Sequence, residues 1–241
     1  MKVTFLGHSS FLINFSDKTV LIDPFFSNAQ SGTIKFKAQS GTAKFKRLLP
    51  CSMKLADLKE VTLILITHKH FDHFNKKEVE KIASRFNAIV VAHSDVLQDL
   101  ELSNALKHPV TAGEEFVLRG IKITVLSAHH PQDFYPVSYL LEFNKQKVFH
   151  AGDTSLMDTF SKLQKEKIDM ALLPIGGTFT MDVIDAVRAT KVIKPKYVIP
   201  MHYNTFKEIT VDPRDFEDKI KDSILNTKTI ILKPGGKIEI K

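Results

Sequence analysis

Leu63-Ile64-Leu65-Ile66-Thr67-His68-Lys69-His70-Phe71-Asp72-His73 joins a continuous apolar run to four potential metal ligands within six residues. Four consecutive aliphatic residues read as a strand buried on both faces. Neutral imidazole and carboxylate are the usual non-thiolate ligands of zinc and related divalent ions. A turn after the strand can point His68 and His70 to one side and Asp72 and His73 to another, and so serve two ions. The plain alternative is a solvated histidine-rich turn, and the ligand density speaks against it.

Four ligands do not complete two metal shells, and three further places supply candidates. Ser127-Ala128-His129-His130, His150-Ala151-Gly152-Asp153-Thr154 and Pro200-Met201-His202-Tyr203-Asn204 each follow an apolar run. Each therefore lies just past the C-terminal end of an expected strand, where sheet-based enzymes gather functional groups. Periodicity predicts strands at 2–6, 10–15, 19–22, 63–66, 89–91, 122–126, 137–143, 147–149, 170–173, 197–199 and 229–232. It predicts helices at 75–86, 155–164, 180–190 and 213–223, the first opened by Asn75 as N-cap with Glu78 three residues on. Strands mixed with helices in this way argue for an α/β arrangement of sheets covered by helices.

The 241 residues are 43% hydrophobic and 25% charged, with 10 Gly and 10 Pro, which excludes collagen-like, low-complexity and disordered chains. A lone cysteine, Cys51, excludes a disulfide framework and a cysteine-based zinc finger. No run of 18 apolar residues and no secretory pattern is found, so the expectation is a cytoplasmic protein with no membrane span. The net charge of +7 is local: the stretch between Asp23 and Asp57 holds Lys35, Lys37, Lys44, Lys46, Arg47 and Lys54 and no acidic residue. Within it Gln30-Ser31-Gly32-Thr33-Ile34-Lys35-Phe36-Lys37 recurs as Gln39-Ser40-Gly41-Thr42-Ala43-Lys44-Phe45-Lys46. Two copies are too few for a solenoid, so the segment from about 27 to 54 reads as a hairpin-like or extended basic loop inserted in a single domain spanning 1–241. It is either a solvated loop or a rim that steers anions.

With Gly7-His8-Ser9-Ser10-Phe11, Leu21-Ile22-Asp23-Pro24-Phe25, Leu173-Pro174-Ile175-Gly176-Gly177 and Pro200-Met201-His202-Tyr203-Asn204-Thr205 added, the ligand pattern resembles the metallo-β-lactamase-fold hydrolases. Within them it is similar to small metal-dependent hydrolases related to L-ascorbate-6-phosphate lactonase. The resemblance implies an αββα sandwich, two mixed β-sheets flanked by helices, with metals at one rim. It implies that His68, His70 and His130 hold one divalent ion, that Asp72, His73 and His202 hold another, and that Asp153 bridges them. His130 is preferred to His129 because the ligand in relatives follows the small residue by two. Asp23 is expected to orient a ligand histidine. His8, His150 and Asn204 are expected to support the site or meet substrate, and Lys35 and Lys44 to face an anionic one.

The cofactors implied are two divalent ions, zinc first, with manganese, iron or nickel compatible. The reaction implied is hydrolysis of a small, anionic lactone, ester or amide by a metal-activated hydroxide, with Asp72 and Asp153 as the catalytic carboxylates. A phosphodiesterase or nuclease on the same fold is the alternative, with nucleic acid not favoured as partner. A metal-binding protein without turnover is the other, and a homo-oligomer is compatible with all three. The Gly176-Gly177 loop before an expected helix could seat a phosphate. Phe25, Phe26, Phe36 and Phe45 flank the basic loop as a candidate apolar lip.

Overall fold

The computed structural model describes residues 1–27, 34–38, 41–223 and 225–240, and of 34–38 and 41–44 the backbone alone. The strands are β1 Lys2–Gly7, β2 Ser10–Phe15, β3 Lys18–Ile22, β4 Ile34–Ala38, β5 Gly41–Phe45, β6 Leu63–Leu65, β7 Ile89–Ala92 and β8 Lys107–Pro109. They continue with β9 Glu115–Leu118, β10 Ile121–Ser127, β11 Val137–Phe143, β12 Gln146–His150, β13 Met170–Pro174, β14 Tyr197–Met201, β15 Lys228–Thr229 and β16 Lys237–Glu239. Helices are α1 Lys76–Phe86, α2 Ser94–Leu97, α3 Val183–Ile193 and α4 Pro213–Lys221.

Two seven-stranded sheets form, in the orders β16-β1-β2-β3-β6-β7-β8 and β15-β14-β13-β12-β11-β10-β9. Each is mixed: antiparallel through β1, β2 and β3 and parallel from β3 to β8, antiparallel from β9 to β12 and parallel from β12 to β15. The side-chain period of two sets the layers. Phe11, Ile13, Val20, Ile22, Leu63 and Leu65 enter the core shared with Ile123, Val125, Tyr139 and Leu141 of the opposite sheet. The alternate residues Leu21, Ile64, Val90 and Ala92 pack instead on Val79, Ile82 and Ala83 of α1. Tyr139 crosses between the sheets, its hydroxyl donating to the Ile66 carbonyl at 2.9 Å. The outer face of the second sheet is covered by α3 and α4 through Ala186, Ile193, Phe216 and Ile220. This is the αββα sandwich of two mixed sheets that the resemblance implies.

Several local expectations are corrected. Residues 155–164 do not form an α-helix; 3-10 turns run over Asp158–Glu166 and bury Phe160 and Leu163. The strand expected at 229–232 stops early at Lys228–Thr229. β8, β9 and β16 were not anticipated, since short edge strands carry little apolar periodicity. Asn75 caps α1 by accepting from the Glu78 amide at 3.3 Å, but Glu78 does not close a capping box. Its carboxylate accepts instead from the Phe26 amide at 3.0 Å and the Ser27 hydroxyl at 2.7 Å.

The basic segment contains a hairpin, β4 paired antiparallel with β5, with Lys35 opposite Lys44. The side chains of Lys35, Lys37 and Lys44, the repeat's Gln30 to Thr33 and Phe36 lie outside the described residues. Arg47 is not a solvated charge. It is 8% exposed, donates to the carbonyls of Phe25, Ser27 and Leu49, and lies 3.9 Å from the Phe25 ring centroid. A guanidinium buried among carbonyls tethers the segment to the body. Among the described residues, no helix is long and apolar enough to cross a membrane.

Candidate metal centre

The histidine-rich turn leaves β6 at the rim and winds tightly, with the His73 and Phe74 amides both donating to the His70 carbonyl at 3.0 and 2.8 Å. That winding separates its ligands into two groups. One group is His68, His70, His130 and Asp153; the other is His8, Asp72, His73 and His202. Within each, one candidate ligand atom per residue lies within 4.8 Å of all the others. Asp153 stands between the groups. Its Oδ2 is 3.1 Å from His202 Nε2, 3.7 Å from His68 Nε2 and 3.9 Å from His130 Nε2. Its Oδ1 is 3.3 Å from His73 Nε2, but the two are misaligned for a hydrogen bond.

Asp153 reaches this place through a turn that needs glycine. Gly152 has φ +61, and a Cβ there would sit 2.9 Å from the Val137 carbonyl oxygen. Gly176 likewise allows the His202 loop to close in, since a Cβ there would collide with the His202 carbonyl oxygen. The Gly176-Gly177 loop does not lead straight into a helix: α3 starts later than expected, at Val183, and the Asp182 carboxylate caps it by accepting from the Asp185 amide. A carboxylate already occupies the anion position at that helix N-terminus.

Asp23 is fully buried. Its carboxylate accepts from the Thr67 amide at 2.8 Å, the Thr67 hydroxyl at 2.7 Å and His73 Nδ1 at 2.8 Å. His73 is thereby held with Nε2 turned toward Asp153. His8 joins the second group, with Nε2 3.0 Å from Asp72 Oδ2 and its carbonyl accepting from the His202 amide at 2.9 Å. His130 is buried, and its Nδ1 is fixed at 3.1 Å from the Phe179 carbonyl. His129 is exposed and belongs to neither group.

Two expected site residues do not face the centre. His150 is fully buried, with Nε2 donating to the Ser9 carbonyl at 2.9 Å and Nδ1 accepting from the Gly152 amide at 3.1 Å. Both nitrogens are committed to backbone, so His150 holds the Gly152-Asp153 turn and has none left for substrate. Asn204 accepts from the Val211 amide at 2.8 Å and closes its own loop.

The electrostatics follow from burial. Burial and His73 hold the pKa of His68 well below the usual histidine value, and burial lowers that of His130, so both imidazoles are neutral. His8 is lowered to about 4 by burial and by His202, against the pull of Asp72. Burial also disfavours charge on His73, but Asp153 and Asp23 outweigh it and hold its pKa well above the ordinary value. Burial pushes the Asp153 pKa up, and His202 and His73 overcome that and hold it well below the carboxylate range.

A metal fits this arrangement. His68 Nε2, His73 Nε2 and Asp153 Oδ1 are buried with no hydrogen-bond partner. Buried polar atoms without partners are costly, and all three are ligand atoms turned inward. His70 Nδ1 and His130 Nε2 face each other at 3.1 Å within the first group.

Beside the ligands lies a cleft with about 440 Å³ of empty space, its open mouth included. Phe45, Phe71, Phe179, Phe206 and Ile209 line it opposite Asp72 and Asp153, together with Gln132. Phe45 belongs to the expected apolar lip. Phe25 packs behind it, whereas Phe26 turns away into the helix-side core. Phe71, Phe179 and Phe206 were not singled out from the sequence. Phe71 alone carried a signal, its place between His70 and Asp72.

The pattern of the Beta-lactamase superfamily domain matches residues 2–202. A UPF0173 metal-dependent hydrolase of Pyrococcus furiosus is 36% identical, the alignment covering 100% of both chains. One of Pelotomaculum thermopropionicum is 32% identical over 100% of both. Among solved structures, Igni18, a metallo hydrolase from the archaeon Ignicoccus hospitalis, superposes with a TM-score of 0.80 at 29% identity, covering 100% of this chain and 99% of that one.

Proposed function

Because this chain belongs to the beta-lactamase superfamily and is a metal-dependent hydrolase, we propose that it is a binuclear enzyme cleaving a small carboxylic ester, lactone or amide. In this reading His68, His70 and His130 would hold one divalent ion, Asp72, His73 and His202 would hold the other, and Asp153, between the two groups, would serve both. The observation that carries it is the Asp153 carboxylate, 3.1–3.9 Å from imidazoles of both groups, with unpartnered ligand atoms beside it. Zinc is the first candidate, since imidazole and carboxylate suit it.

Divalent ions bound there supply electrophilic polarisation of the substrate carbonyl and lower the pKa of a bound water from 15.7 to about 7. The protein's part is orientation. Asp72, braced by His8, and Asp153 accept hydrogen bonds from the attacking water and aim its oxygen at the carbonyl carbon. The carbon–oxygen bond forms as the bond to the leaving oxygen or nitrogen breaks. One water proton ends on the departing group and the other stays with the acid. His68 and His130, kept neutral by burial, have lone pairs ready to coordinate.

A phosphodiester or nucleic-acid substrate draws less support. Backbone phosphates are held by lysine and arginine, and no described residue lining the cleft is either. The anionic substrate expected from Lys35 and Lys44 rests on side chains outside the described residues. The test compares protein loaded with zinc or manganese against chelated protein on p-nitrophenyl acetate, γ-butyrolactone and bis(p-nitrophenyl) phosphate. Turnover of an ester or lactone is expected, lost on chelation and restored by metal. Turnover confined to the phosphodiester overturns the reading.

Two further results are expected. His130→Ala should weaken metal binding by about 10–100-fold or more, a ligand mattering at least as much as a residue that only supports one, while His129→Ala leaves it near wild type. Metal titrations of the two variants decide this, and the reverse order removes His130 from the site. Metal uptake near pH 7 should also release protons, because Asp153 and Asp23 favour the protonated form of His73 in the metal-free protein and the imidazole must be neutral to coordinate. Uptake therefore weakens as pH falls. Calorimetry in buffers of different ionisation enthalpy measures the release, and a value near zero contradicts it.

A further inference from the structure

The cleft is built from two unlike halves. One holds the histidines and carboxylates; the other is a wall of rings brought from four separate segments. Phe45 ends β5, Phe71 lies in the histidine-rich turn, Phe179 follows Gly176-Gly177, and Phe206 follows His202 by four residues. Their centroids stand 5.6 to 6.3 Å apart: Phe45 to Phe206 at 5.6 Å, Phe45 to Phe71 and Phe71 to Phe206 at 5.9 Å, and Phe45 to Phe179 at 6.3 Å. Edge-to-face and offset spacings of this kind fix rings in place. Phe45 is 8% exposed and Phe206 4%, with Ile209 buried behind them, so the wall exists before any ligand arrives.

Packing explains the buried rings, which fasten the β4–β5 hairpin to the body. Phe71 and Phe179 pack against the same cluster yet keep their rings partly exposed at the cleft. Phe179 is also the residue whose carbonyl fixes His130 Nδ1, so the ring is held at a set place relative to the candidate metal ligands. A concave surface that is mostly apolar, with a few convergent polar groups at one end, is how small-molecule sites are built. Gln132 is the one uncharged amide among the described lining residues, and none of them is lysine or arginine.

We propose that the ring wall is a subsite for the apolar part of the substrate. The substrate is then a neutral ester, lactone or amide whose acyl side carries a short alkyl chain or a single aromatic ring. This rests on the carbonyl-hydrolase reading above, and the test keeps the two apart. Binding of straight-chain hydroxamates from acetyl to hexanoyl to the metal-loaded protein is measured by calorimetry, with the hydroxamate of succinic acid as the anionic-tailed counterpart. Turnover of p-nitrophenyl acetate through hexanoate is measured in parallel.

Each methylene should tighten hydroxamate binding by up to about fourfold until the cleft is filled, the gain for ~0.8 kcal/mol per buried CH₂ at 1.4 kcal/mol per tenfold. The succinyl compound should bind more weakly than the neutral chain of equal length. Phe179→Ala should flatten the series, costing the hexanoyl member tenfold or more and the acetyl member little, and Phe179→Leu should keep most of the slope. A flat wild-type series, or preference for the succinyl tail, overturns the subsite without reference to any variant. A slope unchanged in Phe179→Ala also overturns it. A steep binding series with no ester turnover keeps the subsite and removes the carbonyl-hydrolase reading instead.

Discussion

Asp153→Ala is expected to cost kcat/KM about a thousandfold or more and to weaken both metal sites together. Loss of a single charge-stabilising donor in an enzyme site costs about 10²–10³, and Asp153 touches more than one such function. Its two oxygens lie 3.1–3.9 Å from four imidazoles drawn from both ligand groups. Without the carboxylate, cations held by the two groups would lose the negative charge between them. The metal-free protein should also lose about 1–3 kcal/mol, the cost of leaving buried polar groups unsatisfied. That loss has a pH sign. The folded pKa of Asp153 is depressed, so its stabilisation is present above the unfolded carboxylate pKa and fades as pH falls through the folded one. The deficit of Asp153→Ala is therefore largest near neutrality and shrinks on acidification. Metal analysis, turnover and denaturation at several pH values check this, with Asp153→Asn as a variant of the same size. Two tightly held ions in Asp153→Ala would remove the bridge from the proposal.

Asp23→Ala is the second large effect, and it acts from behind the site. The carboxylate accepts three hydrogen bonds and is fully buried. Removing it strands the Thr67 amide and the His73 Nδ1–H in a buried site and leaves the Thr67 hydroxyl only its contact with His68 Nδ1. Breaking a buried charged pair from one side costs about 3–5 kcal/mol, which is a large share of the ~5–15 kcal/mol by which a domain is stable. His73 also loses the partner that fixes its tautomer, so metal affinity should fall by about 10–100-fold. Denaturant titration of metal-free protein and metal titration of folded protein read the two effects separately. An unchanged denaturation midpoint would show that the three contacts carry no net energy.

Much of this protein is legible in residue order because the deciding signals are short-range. A continuous aliphatic run followed within one turn by His68, His70, Asp72 and His73 needs no long-range information to be read as a strand ending in ligands. The strands at 10–15 and 137–143 and the start of α1 follow from periodicities and caps that span only a few residues. His130, Asp153 and His202 each follow a strand, β10, β12 and β14, and strands that run the same way in one sheet bring their C-terminal ends to one rim.

What only the tertiary structure decided concerns groups whose role depends on distant partners. Arg47 reads as one more loop charge until three backbone carbonyls and the Phe25 ring surround it. His150 sits one turn from Asp153 in sequence, yet both of its nitrogens are spent on backbone, while His8, with no ligand near it in the chain, lies 3.0 Å from Asp72. The ring wall is the extreme case. Phe45, Phe71, Phe179 and Phe206 are spread over more than 160 positions; the basic loop pointed to Phe45 and the ligand turn to Phe71, but nothing local distinguishes Phe179 and Phe206 from the other phenylalanines of the chain. Hydrophobic residues are interchangeable in sequence because burial is non-directional; which of them line a cleft is set by how the sheets close and where the loops at their rim meet.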